Sequence, residues 1–522
     1  MITNILITLI AVFGHFEDFL GTTLLSRPLV LGPLVGLVLG DVTQGIIMGA
    51  TLELIFMGNI KVGAAIPPDV ITGGVLGTAF AIMSGKGTSI ALGLAVPISI
   101  LAEMILSGLF IFRAVFNKKF EQYAEAGDIQ KFQRLHIVSG LLKPLLMGLI
   151  VFLALFLGAD AMKVFLDMIP LWVNDGLKVA GNMLPALGFA LLMHVMFNKK
   201  VAHYFFLGFI LSSYLKLPMI AIGGIGIIIA LVITKFTEQN FDSDDGDQTT
   251  DGEEAMSSLS KKEVRGIFYR SLALEANFNF ETCQNTGFAF SIIHILKKLY
   301  KTKEDISAAL KRHLQFFNTS PYGSTLILGV AAAMEEQNAK TKDFNPESIN
   351  AVKVGLMGPI AGIFDSLFWG TLKVVAAGVG ASLALQGNII GPVLFIIIYN
   401  GPHLWLRYKL TFIGYTQGNR FLQRLSGSKL MDNLTFGSSI VGLMVVGAMP
   451  SLLMSVNTPI EIGTGDSTVA LQGILDQLAP GIIPLLLTFL TYFFLKKNVK
   501  VTLLLLGLLV LGFLGSMFHI FI

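Results

Sequence analysis

The stretch TLELIFMGNIKVGAAIPPDVIT, residues Thr51–Thr72, places charged side chains inside an apolar segment that glycines and a proline pair interrupt. Its charged residues, Glu53, Lys61 and Asp69, follow one another at intervals of eight. An ionisable group at membrane depth is costly, and it is kept where it faces a protein interior or a water-filled path and has a partner. The stretch therefore predicts a polar pocket inside a membrane protein.

A second stretch of the same kind lies in the other half of the chain. GLMGPIAGIFDSLFWG, Gly355–Gly370, carries Asp365 together with Ser366 and Trp369 in a run rich in glycine and proline. Interrupted apolar segments in corresponding halves of a membrane protein are the best sequence pointer to a transport site. The two stretches together predict a transporter for a polar solute, with a broken segment in each half.

Composition agrees with a membrane protein and excludes several classes of function. Hydrophobic residues make up 53% of the 522 and charged residues 14%, whereas soluble domains carry about 25% charged residues. A net charge of +3 is too small to indicate nucleic-acid binding. The single cysteine, Cys283, excludes an intramolecular disulfide and any site built from several cysteines. We expect no metal, no cofactor and no catalytic residue on this chain.

An acidic, hydrophilic segment divides the chain. Residues 238–258 contain eight Asp or Glu and no Lys or Arg, and such a segment cannot bury enough apolar surface to become ordered. It predicts a flexible linker between a membrane domain at 1–237 and a second domain at 259–522. The second domain divides further into an amphipathic helical part at 259–350 and a membrane part at 351–522.

The apolar runs predict an all-α, polytopic membrane protein. Several runs are shorter than the ~20 residues that a straight spanning helix needs, so we expect some of them to form re-entrant hairpins buried in protein. Lys and Arg are enriched in cytoplasmic loops. Clusters of these residues predict a cytoplasmic linker and an external C-terminus: Lys118, Lys119, Lys131, Arg134, Lys199, Lys200, Lys496, Lys497 and Lys500.

Two segments of the 259–350 region have the apolar spacing of amphipathic helices, KKEVRGIFYRSLALEANFNFE and KEDISAALKRHLQFF. In the first, Glu275 and Asn277 are candidate ligand contacts. Helical spacing would place Asn277 and Glu281 on one face, because they are four residues apart. A solvated face of an amphipathic helix explains the same pattern equally well.

The candidate pocket suits a hydroxyl-rich solute. Sugar hydroxyls donate and accept hydrogen bonds, so carboxylates, amides and an ammonium group can bracket them, and Trp369 can stack on the apolar face of a pyranose. Two alternatives remain open at this point. Lys61 could form a structural ion pair with an acid of its own segment, and Trp369 could belong to the aromatic belt at the membrane interface.

Longer motifs of the chain resemble those of a known protein family. RPLVLGPLVGLVLGDVTQGIIMGATLELIFMG (27–58) and VGAAIPPDVITGG (62–74) resemble the enzyme IIC subunit of mannose/fructose/sorbose-type phosphotransferase systems. SKKEVRGIFYRSLALEANFNFE (260–281), LKRHLQFFNTSPY (310–322) and VKVGLMGPIAGIFDSLFWG (352–370) resemble enzyme IID. The resemblance covers nearly the whole chain except the linker. It implies a fusion, natural or engineered, of two subunits that are usually separate proteins.

The resemblance implies a sugar-translocating component of a bacterial phosphoenolpyruvate-dependent phosphotransferase system. The sugar, a mannose-type hexose or an N-acetylated or amino hexose, crosses the plasma membrane and is phosphorylated by separate IIA and IIB components. We recognise no phosphohistidine domain on this chain. The implied architecture is pseudo-inverted between IIC and IID, elevator-like in movement and homotrimeric. By motif match, Glu53 and Asp69 belong to the IIC sugar pocket and Asp365 to its IID counterpart. Members also serve as docking sites for bacteriocins and phages.

Two other functions remain open from the residues alone. An ion-coupled secondary sugar transporter would use Glu53, Asp69 and Asp365 for protons or sodium, and it would accumulate sugar without phosphotransferase proteins. A membrane receptor or scaffold would tolerate replacement of Asp69 by Asn, whereas both kinds of transporter would lose uptake.

Overall fold

The computed structural model describes the chain from Met1 to Ile522 with gaps. The residues outside the description are 57–66, 86–87, most of 159–184, 197–200, 218, 240–258, 342–343, 426–429, 464–467 and 500. Lys61 and nearly all of the predicted acidic linker therefore lie outside the described residues.

Helices dominate the described chain. Their bounds, in chain order, are α1 Ile2–His15, α2 Glu17–Leu20, α3 Pro28–Leu39, α4 Val42–Ile55, α5 Val70–Ser84, α6 Thr88–Arg113, α7 Asn117–Glu125, α8 Ile129–Leu157, α9 Pro185–Met196, α10 Ala202–Ser213, α11 Met219–Gln239, α12 Lys261–Ser271, α13 Asn285–Leu299, α14 Lys303–His313, α15 Ser324–Lys340, α16 Glu347–Asp365, α17 Lys373–Ala384, α18 Ile390–Leu425, α19 Leu430–Leu453, α20 Leu471–Leu478, α21 Ile482–Lys496 and α22 Val501–Met517. A 3₁₀ turn covers Ala114–Phe116, a π-helix covers Ser366–Leu372, and strands β1 Glu461–Ile462 and β2 Val469–Ala470 pair antiparallel.

Three helical segments of the described chain are long and apolar enough to cross a bilayer, Leu94–Glu125, Ile129–Leu157 and Glu347–Ala384. A fourth crossing results if α20 and α21, which meet at a bend of 77°, act as one span. Eight further apolar helices are shorter than 18 residues. The prediction of an all-α membrane protein is thus confirmed in its coarse form.

Helices α3 and α4 form a tight hairpin. They contain 12 and 14 residues, or about 18 and 21 Å at ~1.5 Å per residue, against a hydrocarbon core of about 30 Å. A Cβ atom at Gly32 would lie 2.6 Å from the carbonyl oxygen of Gly45 and 2.7 Å from the Cα of Gly49. Glycine lets the two backbones approach this closely, as in other helix contacts within membranes. The pair is too short for two straight crossings.

The prediction that the apolar segment Gly355–Gly370 is interrupted is wrong. Gly355–Gly370 belongs to one continuous helical segment, Glu347–Ala384, although Pro359 lies inside it. The irregularity takes another form, since the residues after Asp365 adopt a π-helix before α17 begins. Local changes of helix type let a membrane helix absorb glycine and proline without ending.

The first predicted amphipathic helix is shorter than its apolar spacing suggests. Helix α12 starts at a capping box between Ser260 and Glu263 and ends at Ser271. Glu275, Asn277 and Glu281 follow in a series of turns, so the predicted helical face shared by Asn277 and Glu281 does not exist. The turns are fixed by contacts from outside the segment, which the local pattern does not contain. The second predicted helix is confirmed as α14.

A buried carboxylate ties together the helices of the 259–350 region. Glu335, on α15, is fully buried and accepts hydrogen bonds from Arg312 Nε and Nη2 at 2.8 and 3.0 Å. Tyr300 donates to it at 2.6 Å, and His313 Nε2 lies 2.8 Å from Oε1. Burial alone would raise the pKa of Glu335, but the bonds to His313 and Arg312 outweigh burial and lower the pKa to about 2. The carboxylate is therefore ionised at neutral pH.

Replacing Glu335 by Gln should destabilise the protein, since the partly buried guanidinium of Arg312 then loses its counter-charge. Breaking a buried pair from one side costs about 3–5 kcal/mol, which thermal unfolding of the purified protein would register as a clear drop in melting temperature. The matched control is Glu304→Gln, because Glu304 is an exposed acid on α14. Equal melting temperatures for the two variants would contradict this role of Glu335.

Candidate functional site

A cavity of about 120 Å³ lies between the two halves of the chain, and it is called the central cavity below. Its lining combines carboxylates, two cations, hydroxyls and apolar surface. The lining residues are Glu17, Asp18, Thr22, Leu24, Ser26, Arg27, Pro67, Pro68, Asp69, Val70, Ile71, Leu106, Phe110, Lys143, Glu275 and Trp369. Glu275 and Trp369 come from the second half, so neither half encloses the cavity alone.

One wall is the irregular segment 21–27, which joins α2 to α3. Gly21, Thr22 and Leu24 have φ angles of 78°, 64° and 58°, in the left-handed region that is costly for a side chain with a Cβ. The carboxylate of Glu17 holds this backbone, because it accepts from Leu24 N at 2.6 Å and from Ser26 N at 3.2 Å. Glu17 thus satisfies backbone groups that no helix or sheet would pair.

The second half supplies the remaining bonds to segment 21–27. Asn400 donates to the carbonyl of Thr23 at 2.9 Å, and Arg407, which is fully buried, donates to the carbonyl of Gly21 at 2.9 Å. Thr22 Oγ1 in turn donates to Glu275 Oε2 at 3.3 Å. The wall of the cavity is therefore built jointly by both halves.

Asp69 is placed by the start of α5. It is the N-cap residue of this helix, and its Oδ2 accepts from Thr72 N at 3.0 Å. The Nε2 atom of His15 lies 3.6 Å from the same oxygen, and the backbone N–H of Asp69 donates to Ser99 O at 2.9 Å. The carboxylate therefore borders the cavity from a fixed position at a helix N-terminus, where negative charge is stabilised.

Glu53 lies behind the cavity wall, because its carboxylate is fully buried against Arg27. Arg27 Nη2 and Nε lie 2.8 and 2.9 Å from Oε1, and Nε lies 3.1 Å from Oε2. Arg27 also donates to the carbonyl of Phe56 at 2.8 Å. In the described part of the chain the partner of Glu53 is thus Arg27, while the alternative partner, Lys61, falls outside it. Arg27 itself lines the cavity.

A second ion pair lies on the cavity wall. Lys143 Nζ is 2.8 Å from Asp18 Oδ2, and both side chains are largely buried. Lys143 precedes Pro144 within α8, so the pair joins a long membrane helix to the short helix α2. A lysine held in this way offers its remaining N–H groups to a solute in the cavity.

The predicted residues of the second half occupy different positions. Glu275 and Trp369 line the cavity, and Glu275 also accepts from Gln284 Nε2 at 3.3 Å. Asp365 is buried on the same helical segment as Trp369 but is not part of the lining. Asn277 is buried outside the lining and donates to Thr286 Oγ1 at 3.3 Å.

Ser366 lies in the π-helix, and its side chain is outside the description.

Trp369 is buried, with 8% of its surface exposed. Its ring meets that of Tyr322 edge to face at 6.0 Å between centroids, and Lys373 Nζ lies 5.2 Å from its centre. The indole N–H has no hydrogen-bond partner among the described residues. A belt tryptophan would expose its ring to the membrane interface, so this burial disfavours the belt alternative.

The groups that line the cavity can form hydrogen bonds and stacking contacts. Within the described residues no group of three His, Cys, Asp or Glu side chains could hold a metal ion. Carboxylates, a guanidinium, an ammonium group and an indole surround the space, and these groups match the hydroxyls and the apolar face of a sugar.

Sequence reasoning missed Glu17, Asp18, Arg27 and Lys143. The signal was present, since Glu17 and Asp18 stand between two apolar runs. Charges at such a junction usually indicate a solvated helix end, whereas here the junction is folded into the protein.

Comparison with known proteins identifies a matching family component for each half of the chain. A model described as the PTS system mannose/fructose/sorbose family IID component matches residues 258–521, and one described as the PTS system sorbose-specific IIC component matches residues 1–232. The mannose-specific EIID component of Escherichia coli (strain K12) is 40% identical over 264 residues, which are 49% of this chain and 93% of the relative.

Two further proteins are similar to one part of the chain each. The N-acetylgalactosamine permease IIC component 1 of Escherichia coli (strain K12) is 32% identical over 222 residues, covering 42% of this chain and 83% of the relative. A solved structure of the mannose transporter ManYZ with microcin E492 has a chain that is 39% identical and has a TM-score of 0.48, covering 50% of this chain and 98% of its own. The chain belongs to the mannose/fructose/sorbose family of sugar phosphotransferase systems and joins the family's IIC and IID membrane components in one polypeptide.

Proposed function

We propose that the central cavity is the sugar-binding site of this phosphotransferase permease and that it takes a hexose or an amino hexose. The observation that carries this is the joint lining of one cavity by Asp69 from the IIC half and by Glu275 and Trp369 from the IID half. A solute bound there contacts both components at once, so its binding is coupled to their relative position.

The proposed roles follow from the chemistry of the groups. Asp69 and Glu275 accept hydrogen bonds from sugar hydroxyls, and charge-assisted bonds of this kind are stronger than neutral ones. Arg27 and Lys143 donate to hydroxyl or carbonyl oxygens, while Trp369 offers an apolar face to the ring. Glu53 positions Arg27 from behind. Lys61, Asp365, Ser366 and Asn277 remain part of the proposal as further candidate substrate-binding residues.

The sugar class is proposed from chemistry and from relatives. Acceptors and donors on facing walls suit hydroxyls, and donors such as Arg27 and Lys143 also suit the carbonyl of an N-acetyl group. The names of the relatives, a mannose-specific component and an N-acetylgalactosamine permease, are consistent with this range. Mannose-type and amino hexoses therefore form the proposed substrate set.

Partners and movement complete the proposal. The IIA and IIB components supply the phosphoryl group from the cytoplasm, and phosphorylated IIB meets the sugar as it leaves the cavity. We also propose that a cytoplasmic linker at 238–258 divides the chain into two domains and that the C-terminus is external. The proposal further includes pseudo-inverted IIC and IID parts, elevator-like movement and assembly as a homotrimer. The short α3–α4 hairpin supports the movement, because a compact hairpin can travel as a unit. Docking of bacteriocins or phages would use the same membrane unit.

The first test is dependence on the phosphoryl carriers. Vesicles that contain only this chain should accumulate no sugar phosphate when phosphoenolpyruvate is supplied, and adding IIA and IIB with the general phosphotransferase proteins should restore accumulation. The measurement is radiolabelled sugar phosphate inside the vesicles, with vesicles that lack the chain as control. Uptake driven by a proton or sodium gradient without these proteins would contradict the proposal.

The second test removes one charge and keeps the fold. Asp69→Asn preserves the N-cap of α5, because Asn and Asp are similarly good N-caps, but it weakens a charge-assisted bond to the sugar. Hydrogen bonds to charged groups contribute about 1.5–3 kcal/mol and neutral ones about 0.5–1.5 kcal/mol. Because Asn keeps a neutral bond, we expect binding to weaken about fivefold to tenfold and uptake to fall accordingly. Isothermal titration with mannose, glucose, glucosamine and N-acetylgalactosamine measures this loss.

The matched control is Asp41→Asn. Asp41 is also an N-cap, since its Oδ1 accepts from Gln44 N at 2.9 Å, but it is exposed and lies outside the central cavity. This variant should bind sugar as the parent does. Equal binding by both variants would exclude Asp69 from the sugar site.

The third test separates stacking from hydrogen bonding at Trp369. Trp369→Phe keeps an aromatic face and removes the indole N–H, whereas Trp369→Leu removes both. Aromatic contacts contribute about 0.5–1.5 kcal/mol beyond burial, so the Leu variant should bind sugar about threefold to tenfold more weakly than the Phe variant. If the two variants bind sugar equally, stacking on Trp369 is excluded.

A further inference from the structure

A second cleft lies away from the sugar site, between α12 and α18, and it is called the basic cleft below. It has a volume of about 420 Å³ and combines four cations with two aromatic side chains. Its lining residues are Lys261, Lys262, Arg265, Tyr408, Lys409 and Phe412. None of these residues belongs to the central cavity, and the proposed function gives them no role.

The four cations of the basic cleft have no carboxylate partner among the described residues. The nearest acid along the chain is Glu263, and its carboxylate is turned elsewhere. It accepts from Ser260 N at 2.7 Å and from Lys298 Nζ at 2.7 Å. Four like charges in one cleft repel each other, so an anionic ligand would reduce a repulsion that the described residues leave uncompensated.

The exposed face of α18 indicates where the basic cleft lies relative to the bilayer. Val393, Ile397, Trp405 and Lys409 follow one another at multiples of four residues, so the series rises along the helix and winds about 40° around it with every four residues. Val393, Ile397 and Trp405 are 47%, 59% and 62% exposed. An exposed apolar stripe that passes into a tryptophan and then a lysine is typical of a helix leaving the hydrocarbon at the interface. Lys409 lies about 6 Å beyond Trp405 at ~1.5 Å per residue.

A second aromatic residue reinforces this placement. Tyr269, on α12, is 59% exposed next to Phe268, whose ring meets that of Tyr408 at 5.4 Å. The basic cleft therefore opens beside exposed aromatic side chains that suit the headgroup level. Its lining combines the four cations with the rings of Tyr408 and Phe412.

We propose that the basic cleft binds the phosphate headgroup of an anionic phospholipid, with its acyl chains lying along the exposed apolar face of α18. Lys261, Lys262 and Arg265 approach the phosphate from α12, and Lys409 approaches it from α18. Arginine suits this role because its guanidinium can bind two phosphate oxygens at once. Basic pockets beside membrane helices are known to take such headgroups. The bound lipid would join the amphipathic helices of the IID half to its membrane part.

A phosphorylated protein partner would need the same charge but not the same surroundings. Val393 and Ile397 add exposed apolar surface to the same helix that carries Lys409, and lipid chains pack on such a surface whereas a water-soluble carrier protein does not. We therefore assign the basic cleft to lipid, and the experiment below tests the protein partner as its competitor.

The experiment measures phosphatidylglycerol bound to the purified full chain by native mass spectrometry, against phosphatidylcholine as the neutral lipid. The variants are Arg265→Gln and Lys409→Gln, one from each helix, singly and together. Each removed cation should weaken phosphatidylglycerol binding about fivefold, as expected for Lys or Arg at an anionic surface, and leave phosphatidylcholine binding unchanged. The control is Lys297→Gln with Lys303→Gln, which removes two exposed cations outside the basic cleft. This control should retain full binding.

Four outcomes would overturn the proposal. Equal losses in the variants and the control would mean diffuse surface charge only. Competition by glycerol 3-phosphate as strong as by phosphatidylglycerol would mean a free-phosphate site without lipid. Reduced phosphoryl transfer from IIB with unchanged lipid binding would assign the basic cleft to a protein. Lower melting temperatures of the variants in lipid-free detergent would mean that the cations hold another part of the chain.

Discussion

The need to satisfy the irregular backbone of segment 21–27 is the constraint on which the site depends. Exposed N–H and C=O groups inside a membrane protein cost several kcal/mol each, and this segment has no helix to pair them. Glu17 accepts from two of its N–H groups, while Asn400 and Arg407 donate to two of its carbonyls. Side chains from both halves thus form the backbone hydrogen bonds that helices or sheets provide elsewhere.

This constraint explains why the IIC and IID parts belong together. Arg407 is fully buried between the carbonyls of Gly21 and Ser271, one from each half. Separating the halves would remove the bonds of Arg407 and Asn400 to the carbonyls of Gly21 and Thr23, and lost hydrogen bonds of buried groups are costly. The same bonds bring Glu275 within 3.3 Å of Thr22 and so close the cavity wall. Joining the two components in one chain keeps this interface at a high effective concentration.

The sequence predicted the parts of the site that have a local signal. Asp69 and Trp369 were found because a carboxylate or an indole inside an apolar, proline- or glycine-rich run is unusual, and both line the cavity. Glu275 lines it as well, although the helix predicted for it ends at Ser271. Its side chain makes contacts that are distant in sequence, such as the hydrogen bond from Thr22, and the local pattern does not contain them. Arg27 was not predicted, because its partner Glu53 is 26 residues away and no periodic pattern in the sequence indicates such a pair.

The pairing of charges around the cavity favours a neutral passenger over a coupling ion. An ion-coupled carrier needs a carboxylate that can bind and release sodium or a proton during each transport cycle. Here Glu53 is held by Arg27 at 2.8 Å and Asp18 by Lys143 at 2.8 Å, while Glu17 is occupied by backbone N–H groups. Taking any of these carboxylates for an ion would leave a buried cation or amide unsatisfied. A sugar needs no such exchange, because its hydroxyls can bind while Glu17, Asp18 and Glu53 keep the partners they have. In the proposed function, phosphorylation of the sugar then makes uptake irreversible without an ion gradient.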